Sequence, residues 1–111
     1  MDQNEIEFEA HDPRGLKVIC YKRTWRSHII RKRPIMDSKD YIELIINTIT
    51  EPLGFIYQDS SYTSRQIYYQ RNNLNGYYIK VVVEFIDKEP GLIITATPVN
   101  NQKAGERIVW P

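Results

Sequence analysis

Apolar side chains occupy every second position in residues 77–86, and this pattern constrains the fold more than any other feature of the chain. The even-numbered positions include Lys80 and Glu84, whereas the odd-numbered ones are all apolar: Tyr77, Ile79, Val81, Val83 and Phe85. A period of two predicts a β-strand with one face in a hydrophobic core. The opposite face, with Lys80 and Glu84, is then available for chemistry.

A second strand is predicted over 92–98, and the loop between the two strands decides which side chains face each other. A four-residue loop places Lys80 opposite Thr97 and Val82 opposite Thr95. A five-residue loop turns both threonines inward, because a shift of one residue moves every side chain to the other face. The sequence favours the first register and leaves the second open.

Further period-two segments predict more strands. Residues 6–10 and 16–20 flank a turn at Asp12-Pro-Arg-Gly15, which indicates a β-hairpin. Later segments of the same kind predict strands at 55–57, 65–71 and 107–110.

Two helices are predicted between the hairpin and the later strands. The first is short, with Thr24 as the expected N-cap and Pro34 as its end, and it carries Trp25, His28, Ile29 and Lys32 at helical spacing. The second begins at Asp37 or Ser38, has Asp40 in its first turn and ends before Pro52. Its apolar stripe consists of Tyr41, Ile42, Ile45, Ile46 and Ile49.

The predicted architecture is α+β: an N-terminal hairpin and two helices packed on a twisted antiparallel β-meander of four to five strands. With 111 residues, 41% of them apolar, the chain fits a single domain over 1–111, comprising an acidic hairpin (1–21) and a core (22–110). Cys20 has no second cysteine to pair with and is expected to be a buried strand residue. No segment approaches the ~18 apolar residues of a membrane span, and no signal peptide is visible, so we expect a soluble cytoplasmic protein without a membrane partner.

Residues 22–33, here named the basic segment, contain six Lys or Arg residues, one histidine and no acid. The whole chain has a net charge of only +1, so any attraction for a polyanion must be local. A solvated helix face would also explain such a charge run.

The chain lacks the common motifs of metal, nucleotide and nucleophilic-serine chemistry, so we expect no cofactor and no metal. One well-placed histidine, many cations and several hydroxyls remain. They suffice for RNA transesterification, in which the substrate's own 2′-hydroxyl is the nucleophile. The protein then needs only to move protons and to stabilise an anionic phosphorane.

His28 is the candidate general acid or base, and the alternative is a structural histidine packed against Trp25. Arg31 and Arg33 are candidates for binding the scissile phosphate, and otherwise they are solvated charges at a helix end. Each assignment therefore has a structural alternative that only geometry can decide.

Lys80 lies in an apolar strand, so it needs a partner, which is either Glu84 on the same face or a site. Thr95 completes the catalytic candidates as a hydroxyl contact, and its alternative is an ordinary β-forming residue. The remaining candidate RNA contacts are basic, aromatic or hydroxyl side chains, any of which could instead pack or face solvent: Arg23, Trp25, Arg26, Lys32, Tyr69, Arg71, Thr97 and Lys103.

Five segments carry a resemblance to a known family: 25–34 (WRSHIIRKRP), 48–52 (TITEP), 77–85, 92–96 (LIITA) and 103–105 (KAG). Together they resemble small bacterial and phage toxin-type nuclease domains of the barnase–EndoU–colicin tRNase–RelE (BECR) class over roughly 22–110. The resemblance implies a helical part on a four-stranded antiparallel meander, and metal-independent RNA cleavage that leaves a 2′,3′-cyclic phosphate. It points to His28, Arg31, Arg33, Lys80 and Thr95.

The chain departs from the pattern that we associate with this class at one position. A second histidine is expected just before the proline, and Arg33 stands there. Arginine supplies charge but does not act as an ordinary acid or base. His28 would therefore be the only imidazole of the site.

These observations predict a toxin-like endoribonuclease that acts on RNA, such as tRNA, with an antitoxin or immunity protein as a partner. A non-catalytic RNA- or protein-binding module with the same fold is the alternative. A third hypothesis is an accessory protein for an acidic partner, in which the acidic hairpin shields the basic segment. The oligomeric state is left open.

Overall fold

The computed structural model of the chain describes residues 5–102 and 107–111. Seven strands form one sheet in the order β1-β2-β6-β5-β4-β3-β7, and all neighbours are antiparallel except β2 and β6. The strands are β1 (Ile6–His11), β2 (Lys17–Tyr21), β3 (Ile56–Gln58), β4 (Arg65–Arg71), β5 (Tyr78–Glu84), β6 (Gly91–Val99) and β7 (Arg107–Trp110).

The sheet differs from the predicted four- to five-stranded meander, although the fold class is α+β as predicted. The hairpin β1–β2 does not pack on the sheet but extends it, because β2 pairs in parallel with β6 through Val18–Gly91 and Ile19–Leu92. Val18, Ile19 and Cys20 are all buried, as expected for an interior strand covered on both faces. The alternation of Leu16, Val18 and Cys20 had suggested a strand with only one buried face.

The first helix, α1, spans 22–32 and contains a π-helical turn: its parts are Lys22–Thr24, Trp25–Ile29 (π) and Ile30–Lys32. Its N-cap is Tyr21, with no side-chain cap, so the prediction of Thr24 as the cap is wrong. The physical reason is that β2 runs directly into α1 without an intervening turn. The helix ends before Pro34, as predicted, and a 3₁₀ turn follows at Pro34–Met36.

The second helix, α2 (Lys39–Thr50), confirms the predicted position and N-cap. The Ser38 Oγ atom accepts a hydrogen bond from the Tyr41 backbone N–H at 3.1 Å, and Asp40 lies in the first turn. Its buried residues are Tyr41, Leu44, Ile45, Thr48 and Ile49. None of the helices in the described part of the chain is long and apolar enough to cross a membrane.

The sheet has two unequal faces. Its inner face carries Ile79, Val81 and Val83 of β5 and packs in the main core with Trp25 and Ile29 of α1 and the apolar side of α2. The outer face carries a smaller buried cluster of Ile67, Tyr69 and Val82.

The β5–β6 register confirms that Lys80 lies opposite Thr97 and Val82 opposite Thr95. The predicted four-residue loop is wrong, because β5 ends at Glu84, which pairs with Leu92. One residue of β6, Ile94, has no partner between the pairs Val82–Thr95 and Val83–Ile93. This β-bulge absorbs the difference in loop length and keeps both threonines on the outer face.

Cys20 is fully buried, and its environment gives a prediction about pH. Burial and, secondarily, the charge of Glu7 raise the pKa of the thiol to about 12. The folded protein keeps this proton above pH 9, where the unfolded chain releases it. The free energy of unfolding is therefore expected to fall between pH 9 and 12, by at most about 1.4 kcal/mol per pH unit from this thiol.

Urea unfolding of the wild-type protein and of Cys20→Ala at pH 8.0, 9.0 and 10.0 measures the contribution of the thiol to the pH dependence of the free energy of unfolding. The wild-type protein should lose more stability than the variant between pH 9.0 and 10.0. Equal losses would show that the thiol does not titrate differently in the folded and unfolded states.

Candidate active site

Three adjacent rows of side chains on the outer face of the sheet, across β4, β5 and β6, carry the candidate site. Directly opposed residues of antiparallel strands share a face, so each row follows from the pairing. The rows are Tyr69–Lys80–Thr97, Ile67–Val82–Thr95 and Arg65–Glu84–Leu92. The first and third rows carry charge, and the middle row is apolar apart from Thr95.

The first row is joined to the end of α1. The Arg33 Nε–H donates a hydrogen bond of 2.8 Å to Thr97 Oγ1, and Lys80 lies directly opposite Thr97. Lys80 is half-buried and forms no ion pair with Glu84 within the described residues. Two cations and a hydroxyl therefore meet at one end of the outer face, an arrangement suited to an anionic oxygen.

The third row lies beside His28. A depression of about 260 Å³ is lined by Tyr21, Thr24, His28, Glu84, Leu92, Ile93 and Ile94. Glu84 accepts hydrogen bonds from Ser64 Oγ at 3.2 Å and from Arg65 Nε at 3.4 Å. These two donors hold the carboxylate in place, and Glu84 and His28 line the same depression.

Thr95 lies between the two charged rows. Lys80 and Glu84 are four residues apart on β5, which corresponds to about 13 Å along a strand, and the row of Thr95 is midway between them. A group bound over Thr95 would thus lie about 7 Å along the sheet from each charged row, within reach of long side chains. The bulge at Ile94 lies between Thr95 and the depression.

His28 does not pack in the core with its neighbour Trp25. Trp25 is only 3% exposed and contacts Phe8 edge to face, with 5.7 Å between the ring centroids. His28 is half-buried, and within the described residues no hydrogen bond holds its imidazole. Its ring is therefore available to a ligand in the depression.

Two aromatic candidates for RNA contacts are placed in the interior, so their predicted role is wrong in this conformation. Trp25 belongs to the main core, and Tyr69 is 1% exposed, with its ring 6.0 Å from that of Tyr57. A base cannot stack on a ring whose faces are covered by protein. Apolar packing decided both positions, and no local pattern around Trp25 or Tyr69 revealed it.

Arg31 and the predicted contacts Arg23, Arg26, Lys32 and Arg71 are exposed, but none of them belongs to the three rows. Arg31 and Lys32 are exposed at the end of α1, and no ion pair or hydrogen bond among the described residues holds their side chains. Arg23 and Arg26 are exposed elsewhere on α1, and Arg71 lies at the far end of β4 opposite Tyr78. Lys103 lies outside the described residues.

Glu84 is the candidate that the sequence did not reveal as a functional residue. Its position on the outer face follows from the alternation in 77–86, but that pattern suggested Lys80 as its partner. Arg65, which lies opposite Glu84 on β4, takes that place instead. His28 lines the same depression as Glu84 because of the path that the chain takes from β2 through α1. No signal in the sequence marks this path.

The described residues contain no cluster of three or more His, Cys, Asp or Glu side chains placed to hold a metal ion. Comparison with protein-family models, with curated proteins and with solved structures finds no match to this chain.

Proposed function

We propose that the protein is a metal-independent endoribonuclease that cleaves RNA by attack of the 2′-hydroxyl on the adjacent phosphate. The observation that carries the proposal is the pair His28 and Glu84 in one depression, on the face that also presents Lys80, Thr97 and Arg33. This reaction needs a base, an acid and a cationic phosphate site, and no bound cofactor.

His28 and Glu84 divide the two proton transfers. The Glu84 carboxylate, held by Ser64 and Arg65, is suited to take the proton of the 2′-hydroxyl. The protonated imidazole of His28 is suited to donate a proton to the leaving 5′-oxygen, because both of its ring nitrogens then carry a proton. Glu84 thus supplies the second proton-transfer group, in place of the second histidine that the sequence lacks.

Arg33, Lys80 and Thr97 act on the phosphate. The guanidinium and the ammonium would neutralise the charge that develops on the phosphorane, and the Thr97 hydroxyl orients Arg33. Thr95, between the charged rows, is placed to contact a non-bridging oxygen.

The test is cleavage of total RNA and tRNA by the purified protein in EDTA, followed by analysis of the fragment ends. We expect 2′,3′-cyclic phosphate and 5′-hydroxyl ends. A matched substrate with a single 2′-deoxynucleotide at a mapped cleavage site should resist cleavage there and nowhere else. Absence of cleavage by folded protein, or cleavage at the deoxy position, would contradict the proposal.

A second candidate function is non-catalytic RNA binding, which the exposed cations of the basic segment favour. Arg23, Arg26, Arg31, Lys32 and Arg33 are all exposed over a short length of chain. Such a patch suffices for salt-dependent attraction to a phosphate backbone. In that case RNA would be bound and left intact.

A further inference from the structure

A second cavity lies on a different side of α1 from the depression that holds His28. It has a volume of about 490 Å³ and lies between β1, α1 and the start of α2. Its walls include Glu7 of β1, Trp25 and Ile30 of α1 and Ile42 of α2. No residue of the proposed ribonuclease site lines it, so the two can be tested separately.

Glu7, which lines the cavity, has a side-chain oxygen without a partner. The Glu7 Oε1 atom is buried and accepts no hydrogen bond. A buried acceptor that has lost water and gained no donor is destabilising, and more so when it belongs to a charged group. Native proteins satisfy the great majority of such atoms, so this one requires an explanation.

A β-bulge directs Glu7 into the cavity. The pairs Ile6–Tyr21 and Phe8–Cys20 leave Glu7 unpaired between them. A regular strand would place Glu7 on the face opposite Phe8, as the alternation in 6–10 suggests. The extra residue re-aims its side chain, which is a recurrent use of bulges next to functional sites.

A π-helical turn shapes the opposite wall. The Ile30 backbone N–H donates to the Trp25 carbonyl, so the helix makes an i to i+5 bond at this point. Trp25 and Ile30 both line the cavity as a result. Single π turns are also frequent at functional sites. Two independent irregularities of the backbone therefore border one cavity that contains an unsatisfied carboxylate oxygen.

The charged side chains around the cavity differ in their burial. Arg26, Asp37 and Lys39 also line it, but all three are exposed, whereas the Glu7 oxygen is buried. Glu7 is close enough to the buried Cys20 thiol for its charge to act on it. After burial, this charge is the second cause that raises the pKa of the thiol. The interior of the cavity thus offers an acceptor and a negative charge next to the apolar side chains Ile30 and Ile42.

We propose that this cavity binds a small molecule that carries a protonated amine on an apolar body. The ammonium group donates a hydrogen bond to Glu7 Oε1 and satisfies the buried carboxylate. The apolar body packs against Ile30 and Ile42.

Titration of the ¹⁵N-labelled protein with 3-methylbutylamine, followed by two-dimensional NMR, tests the proposal. We expect shifts of the Glu7 and Ile30 amides and of the Trp25 indole N–H, with a Kd on the order of 1 mM, as a ligand of this size permits. Sodium 4-methylpentanoate, which has a similar apolar body and the opposite charge, should leave these signals unchanged. Equal shifts with both compounds, or none with the amine, would overturn the proposal.

Variants assign the binding to Glu7. Glu7→Gln keeps the shape and should weaken amine binding at least tenfold, whereas Glu9→Gln, on the same strand but paired with Lys17 at the surface, should leave it unchanged. Arg26→Gln removes a positive charge from the wall of the cavity that repels the ammonium group, and it should tighten binding. Unchanged binding in a folded Glu7→Gln variant, or weaker binding in Arg26→Gln, would contradict recognition of an ammonium group by Glu7.

Discussion

Replacing His28 with alanine is expected to lower the rate of RNA cleavage about 100- to 10,000-fold, because the leaving oxygen loses its proton donor. The change should leave the fold intact, since His28 is only half-buried and lies outside the main core. The measurement is the single-turnover rate on a defined RNA in EDTA. Binding of the RNA should change little, because the cations of the basic segment and Lys80 remain.

His11→Ala is the matched control, because His11 is exposed on β1 and lies away from the outer-face site. Glu84→Gln keeps the size and shape of the side chain and removes its basicity. A loss of cleavage rate similar to that of His28→Ala is therefore expected. The two effects should not add fully, since the residues act in one reaction. Full activity of a folded His28→Ala variant would exclude His28 as the acid and favour the binding-module function.

Replacing Asp12 with alanine is expected to lower the free energy of unfolding by about 3–5 kcal/mol, because it leaves buried donors without a partner. The Asp12 side chain is 0% exposed. It accepts hydrogen bonds from Arg14 Nη2 at 2.6 Å, from the Tyr68 hydroxyl at 2.9 Å and from the Leu16 backbone N–H at 3.1 Å. Through its hydrogen bond with Tyr68, this carboxylate links the turn of the hairpin to β4. Urea unfolding monitored by circular dichroism measures the loss.

Glu9→Ala provides the control for this prediction. Glu9 also pairs with a cation of the hairpin, Lys17 at 3.2 Å, but both side chains are more than 40% exposed. An exposed pair of this kind contributes about 0–1 kcal/mol, so the control should be nearly neutral. A similar loss from both variants would mean that burial of Asp12 adds nothing to its interaction energy.

Local patterns in the sequence determined most of the elements of this protein. The alternation in 77–86 identified β5 and the face that carries Lys80 and Glu84. Ser38 and the apolar stripe after it located α2, since an N-cap and a 3.6-residue period are properties of neighbouring residues. The same holds for the hairpin, whose turn lies between two alternating segments.

The site itself was decided only by tertiary structure, because it depends on contacts between residues far apart in the chain. His28 lines the same depression as Glu84, and Arg33 contacts Thr97, only because β2 joins β6 in parallel and α1 then follows the edge of β6. A parallel pair of strands leaves no turn signal between its members, so no local pattern in the sequence predicts the pairing of β2 with β6. The burial of Trp25 and Tyr69 was undecided for the same reason: whether an aromatic side chain meets solvent or a core depends on the packing of elements that no local pattern encodes.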